Sequence, residues 1–416
     1  MKVITQGSLN NPFMALKHKN FRLYWLSMCV SLIGTWMQNI AQPWLAYSLT
    51  NSPLLLSLVG IMQFLPMMLF SLFAGIIIDR YPNKRILLIT QSASLVITLM
   101  LALLVWSGQV QYWHILFASA ALGVVNTFDM PTRQSFVIEL VGKEDLLNAI
   151  ALNSSVFNIA RILGPALAGI IMGTFGIAYC FYINSFSFAA VIISLVFIKP
   201  NIVQKVKRQG EKVLYSILEG LRYIKNDPLL LRTIIGVLII GTFAMNFNVL
   251  VPVFSTVVLH QQEAGFGFLM SAMGIGSFLG AMFIATRSRK GPGRLVMTYF
   301  PVFTGIMLIF IAYTNIYLIT ALGLAACGFF FVSFSSSANS IMQLKTSNEF
   351  RGRVMSIYTL AFGGSTPIGN LYAGLFTDKL GPQTGFFACG AIILVLLIMV
   401  VFLKKRRHPG LPFSNK

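Results

Sequence analysis

The sequence predicts an all-α polytopic membrane protein with twelve transmembrane helices arranged as two six-helix bundles. Three observations predict it. The composition is too apolar for a water-soluble core, twelve apolar runs have spanning length, and an internal repeat relates the first six runs to the second six. Hydrophobic residues make up 56% of the 416 and charged residues only 10%, with mean hydropathy +0.78. A soluble domain carries about 25% charged residues. Twelve spans of about 20 residues occupy about 240 residues, so only short loops remain.

The runs fall at about 22–48, 53–78, 86–106, 112–137, 146–173 and 177–198, then 229–259, 264–286, 295–313, 316–342, 354–377 and 383–403. The expected division is therefore a first bundle over 1–198, a linker over 199–228 and a second bundle over 229–416. The linker begins with Lys199, Lys205, Lys207 and Arg208, and then places Val213, Ile217, Leu221 and Ile224 at helical spacing. Lys212, Arg222 and Lys225 lie off that stripe, which reads as an amphipathic helix on the membrane face. Pro228 ends it. No cleavable signal peptide is expected, because the first run is too long and lacks a small-residue cleavage site.

The net charge of +20 would point to a nucleic-acid partner in a soluble chain. Here the basic residues alternate with apolar runs and set topology instead. Of 31 Lys and Arg, all but Lys379 and the intramembrane Arg161 fall on one side. By the positive-inside rule that side is cytoplasmic, with both termini on it. A bacterial cytoplasmic membrane is the expected location, and the bilayer and a small molecule are the expected partners of a functional monomer. The four cysteines, Cys29, Cys180, Cys327 and Cys389, sit singly inside apolar runs and read as buried small residues. Metal and cofactor are not expected.

At a constant offset of 205 the two halves repeat. Gly60 matches Gly265, Phe73 matches Phe278, and Gly75 matches Gly280. Lys84 and Arg85 match Arg289 and Lys290, and Gly123 matches Gly328. Ser135 matches Ser340 and Glu144 matches Glu349, while Gly164, Gly169 and Gly176 match Gly369, Gly374 and Gly381. Parallel repeats of six helices are a transporter architecture.

The loop after the second run carries Gly75, Asp79, Arg80, Lys84 and Arg85. It resembles the G-x-x-x-D-R-x-G-R-R signature of the major facilitator superfamily, with Pro82 and Asn83 departing from it. The resemblance implies that superfamily's fold and a latch that stabilises the outward-open state. Gly75 is expected to permit close helix approach, and Asp129 and Arg133 of the fourth run are expected to work with the latch. Asp129 is read as meeting Arg80 or Lys84, or failing that as facing Asn153 or Ser154. The second copy keeps Arg287, Arg289 and Lys290 but has Ile284 in place of the acid.

The fifth run carries Arg161 followed by Gly164-Pro165-x-x-Ala168-Gly169. This resembles the antiporter motif of the same superfamily, which marks exporters. The stretch from Asp129 to Gly169, with Glu219-Gly-Leu-Arg-Tyr-Ile, is similar to the branch of enterobactin-type siderophore exporters and macrolide efflux proteins. Arg161 lies about 22 Å along its helix from Leu146. A charge at that depth is either a functional group or interhelical glue. Its depth differs from that of Asp129 by about 12 Å, which argues against a pair between them.

Polar residues on inward faces complete the expected cavity: Thr35, Gln38 and Gln42 of the first run, Asn158 and Arg161 of the fifth, Thr242 and Asn246 of the seventh. Each reads equally as an interhelical hydrogen bond. Asp129 is the one acid clearly within a run, so a proton gradient as the energy source is inferred mainly from the resemblance. No Walker segment is present. The expected function is export of amphipathic small molecules such as drugs, macrolides or siderophores by alternating access. Lipid translocation on the same fold is the nearest alternative. A membrane enzyme is disfavoured because no catalytic cluster converges, and a sensor because no loop exceeds about thirty residues.

Overall fold

The computed structural model describes residues 12–200, 213–287, 293–347 and 349–407. After a 3-10 turn at Met14–Lys17, six long helices follow: α1 Lys19–Thr50, α2 Pro53–Arg80, α3 Asn83–Trp106, α4 Tyr112–Val141, α5 Leu146–Thr174 and α6 Ile177–Phe197. The second half comprises α7 Val213–Asn226, α8 Pro228–Phe243, α9 Phe247–Val257, α10 Glu263–Arg287, α11 Arg294–Ala312, α12 Tyr317–Lys345, α13 Arg351–Phe362, α14 Thr366–Leu380 and α15 Pro382–Arg407.

Local chemistry fixes many boundaries. Proline opens α2, α8 and α15, where its missing N–H costs nothing. The Asp227 carboxylate accepts from Leu229 N (2.7 Å) and Leu230 N (3.1 Å) and so caps α8. Gly176 and Gly381, one repeat apart, end α5 and α14 at φ 99° and 88°, a region that suits only glycine.

Ten helical segments among the described residues are long and apolar enough to span a bilayer. Two predicted spans differ from the rest. The first is α1, whose 32 residues begin with Lys19, Asn20 and Arg22. The second is the eleventh run, which is not one helix: α13 has 12 residues, α14 has 15, and Gly363-Gly364-Ser365 separates them. The seventh run is likewise interrupted at Ala244–Asn246, between α8 and α9. Hydropathy does not register such breaks, because the flanking residues stay apolar.

The chain divides into two units. Unit 1 comprises Met1–Leu45 and Leu65–Gln209, and unit 2 comprises Ala46–Phe64 and Gly210–Lys416. Residues 46–64, expected with the first bundle, therefore group with the second, and the changeover within α2 falls beside Pro66. Inside unit 2 the Asp378 carboxylate accepts from Ser52 Oγ (3.0 Å) and from Leu54 N (3.3 Å), capping α2. Asn370 and Ser57 fill the space beside Gly60 and Gly374 respectively. In unit 1, α3 packs against both α4 and α6, and α5 against α6. In unit 2, α12 packs on α10 and α11, and α15 on α11 and α14.

The linker helix α7 docks one face on α13. Glu219 pairs with Arg353 (2.5 Å), Tyr223 stacks on Phe350 (4.7 Å), and Gly220 sits against Arg353 and Ile357. Ile224 is buried, whereas Leu221 of the expected stripe is 47% exposed. The docked face runs through half-buried Ile217 and buried Gly220 and Ile224, so two residues of the expected stripe lie on it together with a glycine. Lys205, Lys207, Arg208, Lys212, Arg289 and Lys290 lie outside the described residues.

Candidate functional site

The first half carries its polar groups at membrane depth in three clusters. The uppermost joins four helices. Gln38 of α1 donates to Gln42 (3.1 Å), and Gln42 donates to Ser119 of α4 (2.6 Å). Gln38 Oε1 accepts from Thr98 of α3 (3.2 Å) and from Asn184 of α6 (2.5 Å). Asn184 also occupies the space left by Gly34. Both glutamines are buried; Gln38 Nε2 and Gln42 Oε1 bond each other within α1, while Gln38 Oε1 and Gln42 Nε2 bond to other helices. Thr35 donates to the Ser31 carbonyl within its own helix (2.8 Å).

The second cluster surrounds Asp129, about 18 Å along α4 from Val141. Its carboxylate accepts from Thr90 Oγ1 (2.7 Å) and Gln91 Nε2 (2.8 Å) of α3, and from Arg133 Nε one turn along α4. Arg133 also contacts the Met28 sulfur. This corrects two expectations. Asp129 meets neither Arg80 nor Lys84, and it faces α3 rather than Asn153 or Ser154 of α5. A depth argument fixes height along the helix but not direction around it. Lys84 Nζ instead donates to the carbonyls of Val196 (3.2 Å) and Ile198 (2.7 Å), at the C-terminal end of α6 where cations are favoured. Asn83, which departs from the superfamily signature, donates to Glu139 of α4 (2.8 Å). Arg80 and Arg85 are exposed. A Cβ at Gly75 would meet nothing within 4 Å, so the expected close approach is not made there. The Asp79 side chain lies outside the described residues.

The third cluster is on α5. Arg161 Nη2 donates to Asn158 Oδ1 (2.9 Å), and Asn158 Nδ2 donates to the Ser154 carbonyl (2.8 Å). The guanidinium stands 5.9 Å from the Phe157 ring centre. Arg161 Nε is buried without a partner, and no described carboxylate pairs with the side chain. An arginine at a helix centre costs about 2.5–3.5 kcal/mol on insertion scales, so this residue stands out from Arg133, which has its acid. One turn on, Gly164 presses against Trp36, the Ile33 carbonyl and Met37 N of α1. Pro165, Ala168 and Gly169 are buried beside it.

The second half repeats this seam one period later. Gly369 of α14 presses against the Thr242 carbonyl of α8 and Asn246 Oδ1. Gly164 and Gly369 are repeat partners, and so are Met37 and Thr242. The fifth and eleventh runs thus meet the first and seventh at equivalent residues. Thr242 donates to the Leu238 carbonyl (2.7 Å), and Asn246 donates to the Thr242 carbonyl (3.0 Å). Asn246 Oδ1 and Thr366 Oγ1 are buried without partners where the two helix breaks lie.

The sequence reading missed Thr90, Gln91, Thr98, Ser119 and Asn184. They are polar residues within apolar runs, with Thr90 and Gln91 adjacent and Asn184 beside Ser185, and that is the signal they offer.

The chain matches the family described as transmembrane secretion effectors, within the major facilitator superfamily, over residues 10–409. It belongs to that family. This secretion effector is similar to the staphyloferrin A transporter of Staphylococcus aureus, with 25% identity covering 95% of this chain and 98% of the relative. It is 26% identical to the multidrug efflux pump Tap of Mycolicibacterium fortuitum, covering 90% and 93%. Macrolide efflux protein A of Streptococcus pyogenes is 21% identical, covering 94% and 98%. Among solved structures, the nucleoside transporter NupG superposes with a TM-score of 0.73 at 15% identity, covering 94% of this chain and 99% of the other. A bacterial homologue of the lysosomal transporter Spinster gives 0.70 at 10%, covering 92% and 94%. These likenesses carry the fold. The secretion effector is thus a multi-pass membrane transporter of the siderophore and drug exporter branch.

Proposed function

We propose that this transporter exports amphipathic small molecules from the cytoplasm by alternating access, driven by a proton gradient. The carrying observation is α5, where a half-buried arginine, its Nε unpartnered and no carboxylate beside it among the described residues, lies one turn from the Gly164-Pro165 seam. That seam resembles the exporter motif, and the relatives named above as efflux pumps and a siderophore transporter support the direction. Both termini lie in the cytoplasm on this reading, and the loop from Asp79 to Arg85 acts as the inner latch. The three-donor cradle of Asp129 supports a brace between α3 and α4 rather than a carrier of the coupling proton.

Inverted membrane vesicles test the proposal. A set of amphipathic fluorescent substrates accumulates without ATP when the lumen is acidified, and a protonophore collapses the uptake. Arg161→Ala inserts normally and loses it. Uptake that ignores the pH gradient removes the coupling, and uptake by the Arg161→Ala protein equal to wild type removes the role given to α5.

A further inference from the structure

Unit 1 contains two arginines at membrane depth, and their surroundings differ in one respect. Arg133 has the Asp129 carboxylate. Arg161 has none among the described residues, and its one hydrogen-bond acceptor is the neutral amide of Asn158. A guanidinium presents five N–H donors in a planar fork suited to bidentate oxyanion binding. One polar contact leaves most of that fork unused, and Nε is already shielded from water. The flank is apolar and aromatic: Phe157 lies beside the guanidinium and is 40% exposed, and Trp36 packs edge-on against Phe157 (5.7 Å). Asn158 cannot neutralise the charge, and its amide N–H is committed to the Ser154 carbonyl.

We infer that the transported solute is an organic anion, and that Arg161 docks its carboxylate while the Phe157–Trp36 pair holds the apolar part beside it. The solute supplies the counterion that the fold omits. This rests on the exporter reading and sharpens it, since a purely cationic or neutral cargo would leave this charge at membrane depth without a counterion.

The test is binding to the purified full-length protein in neutral detergent, measured by calorimetry, which needs neither gradient nor direction. Three probes share one phenylbutyl carbon skeleton and differ in the head group: 4-phenylbutyrate, its isosteric amide 4-phenylbutyramide, and the cationic 4-phenylbutylamine. The acid is expected to bind at least about tenfold more tightly than the amide, the typical scale of a charge-assisted pair. Arg161→Gln should bring the acid to the level of the amide, and Arg161→Lys should retain part of the preference. Equal binding of acid and amide, or an acid preference that survives Arg161→Gln, overturns the inference. Displacement of the acid by equimolar phosphatidylglycerol also overturns it, in favour of a lipid headgroup. Acid-selective binding without vesicle transport would sink the exporter reading alone, and transport of the amide without acid selectivity would sink this one alone.

Discussion

At the residue scale, the ion pair of Asp129 and Arg133 illustrates how a buried charge is tolerated. Each carboxylate oxygen has a donor, and the guanidinium has its acid. Breaking such a pair costs about 3–5 kcal/mol, because the remaining charge stays buried, whereas replacing both partners by apolar residues is often neutral. Asp129→Asn should therefore lower the unfolding temperature in detergent sharply. The double variant Asp129→Leu, Arg133→Met should recover most of the loss. A second acid sits outside the spans. Asp145 accepts from His18 Nε2 (2.7 Å) and pairs with Lys17 (3.0 Å), and these donors hold its carboxyl below the usual 3.8. A depressed carboxyl stabilises the fold above that usual value and loses its contribution as pH falls through the lower folded value. Residues 12–18, which Asn148 also holds by two hydrogen bonds, should thus become progressively more cleavable by pepsin as pH falls from that usual value through the lower folded one. Asp145→Asn should expose Lys17 and Lys19 to trypsin at neutral pH, and equal cleavage in wild type and variant would refute the docking role.

At the element scale, the glycines divide by what surrounds them. A Cβ at Gly369 would run into the Thr242 carbonyl, which is backbone and cannot step aside. Gly369→Ala should cut the yield of folded protein and lower its unfolding temperature. Gly173 of α5 has nothing within 4 Å, so Gly173→Ala should gain the ordinary helix preference of about 1 kcal/mol. If both substitutions behave alike, the seam between α8 and α14 is not close-packed. The same scale shows what a sequence reveals. Arg161 and Pro165 were visible because a charge and a helix breaker stand out in an apolar run. The partner of Asp129 was not visible, since the direction of a side chain around its helix depends on tertiary packing. The break at Gly363-Gly364 had a signal in its paired glycines, but the apolar run continued across it.

At the scale of the whole molecule, the 205-residue repeat proved to be a repeat of packing as well as of letters. Gly164 beside Met37 and Gly369 beside Thr242 are equivalent residue pairs one repeat apart, though the first meets a backbone nitrogen and the second a carbonyl. The terminal glycines Gly176 and Gly381 adopt the same left-handed conformation. Chemistry did not repeat with geometry: Arg161 corresponds to Thr366, whose hydroxyl is buried at the helix break. A hydropathy profile reads the period of this architecture well, because lipid imposes it on every span. It reads the specialised sites poorly, because they are departures from that rule.

The interruption between α13 and α14 has a consequence for how the chain is made. A membrane-insertion machinery that samples one apolar run at a time needs about 20 continuous residues. Between Arg351 and Leu380 it meets 12 helical residues, a gap of three, and 15 more. Neither piece can hide its open ends from lipid alone, whereas the α8–α9 segment is already apolar enough to enter unaided. Integration of this late segment should therefore depend on earlier helices waiting in the bilayer, with Thr242 offering the seat into which Gly369 fits. Translated by itself in microsomes, residues 346–381 should remain largely uninserted, as glycosylation mapping would reveal. Translated behind residues 213–345, the same stretch should enter, so that its biogenesis is a folding reaction rather than a partitioning one.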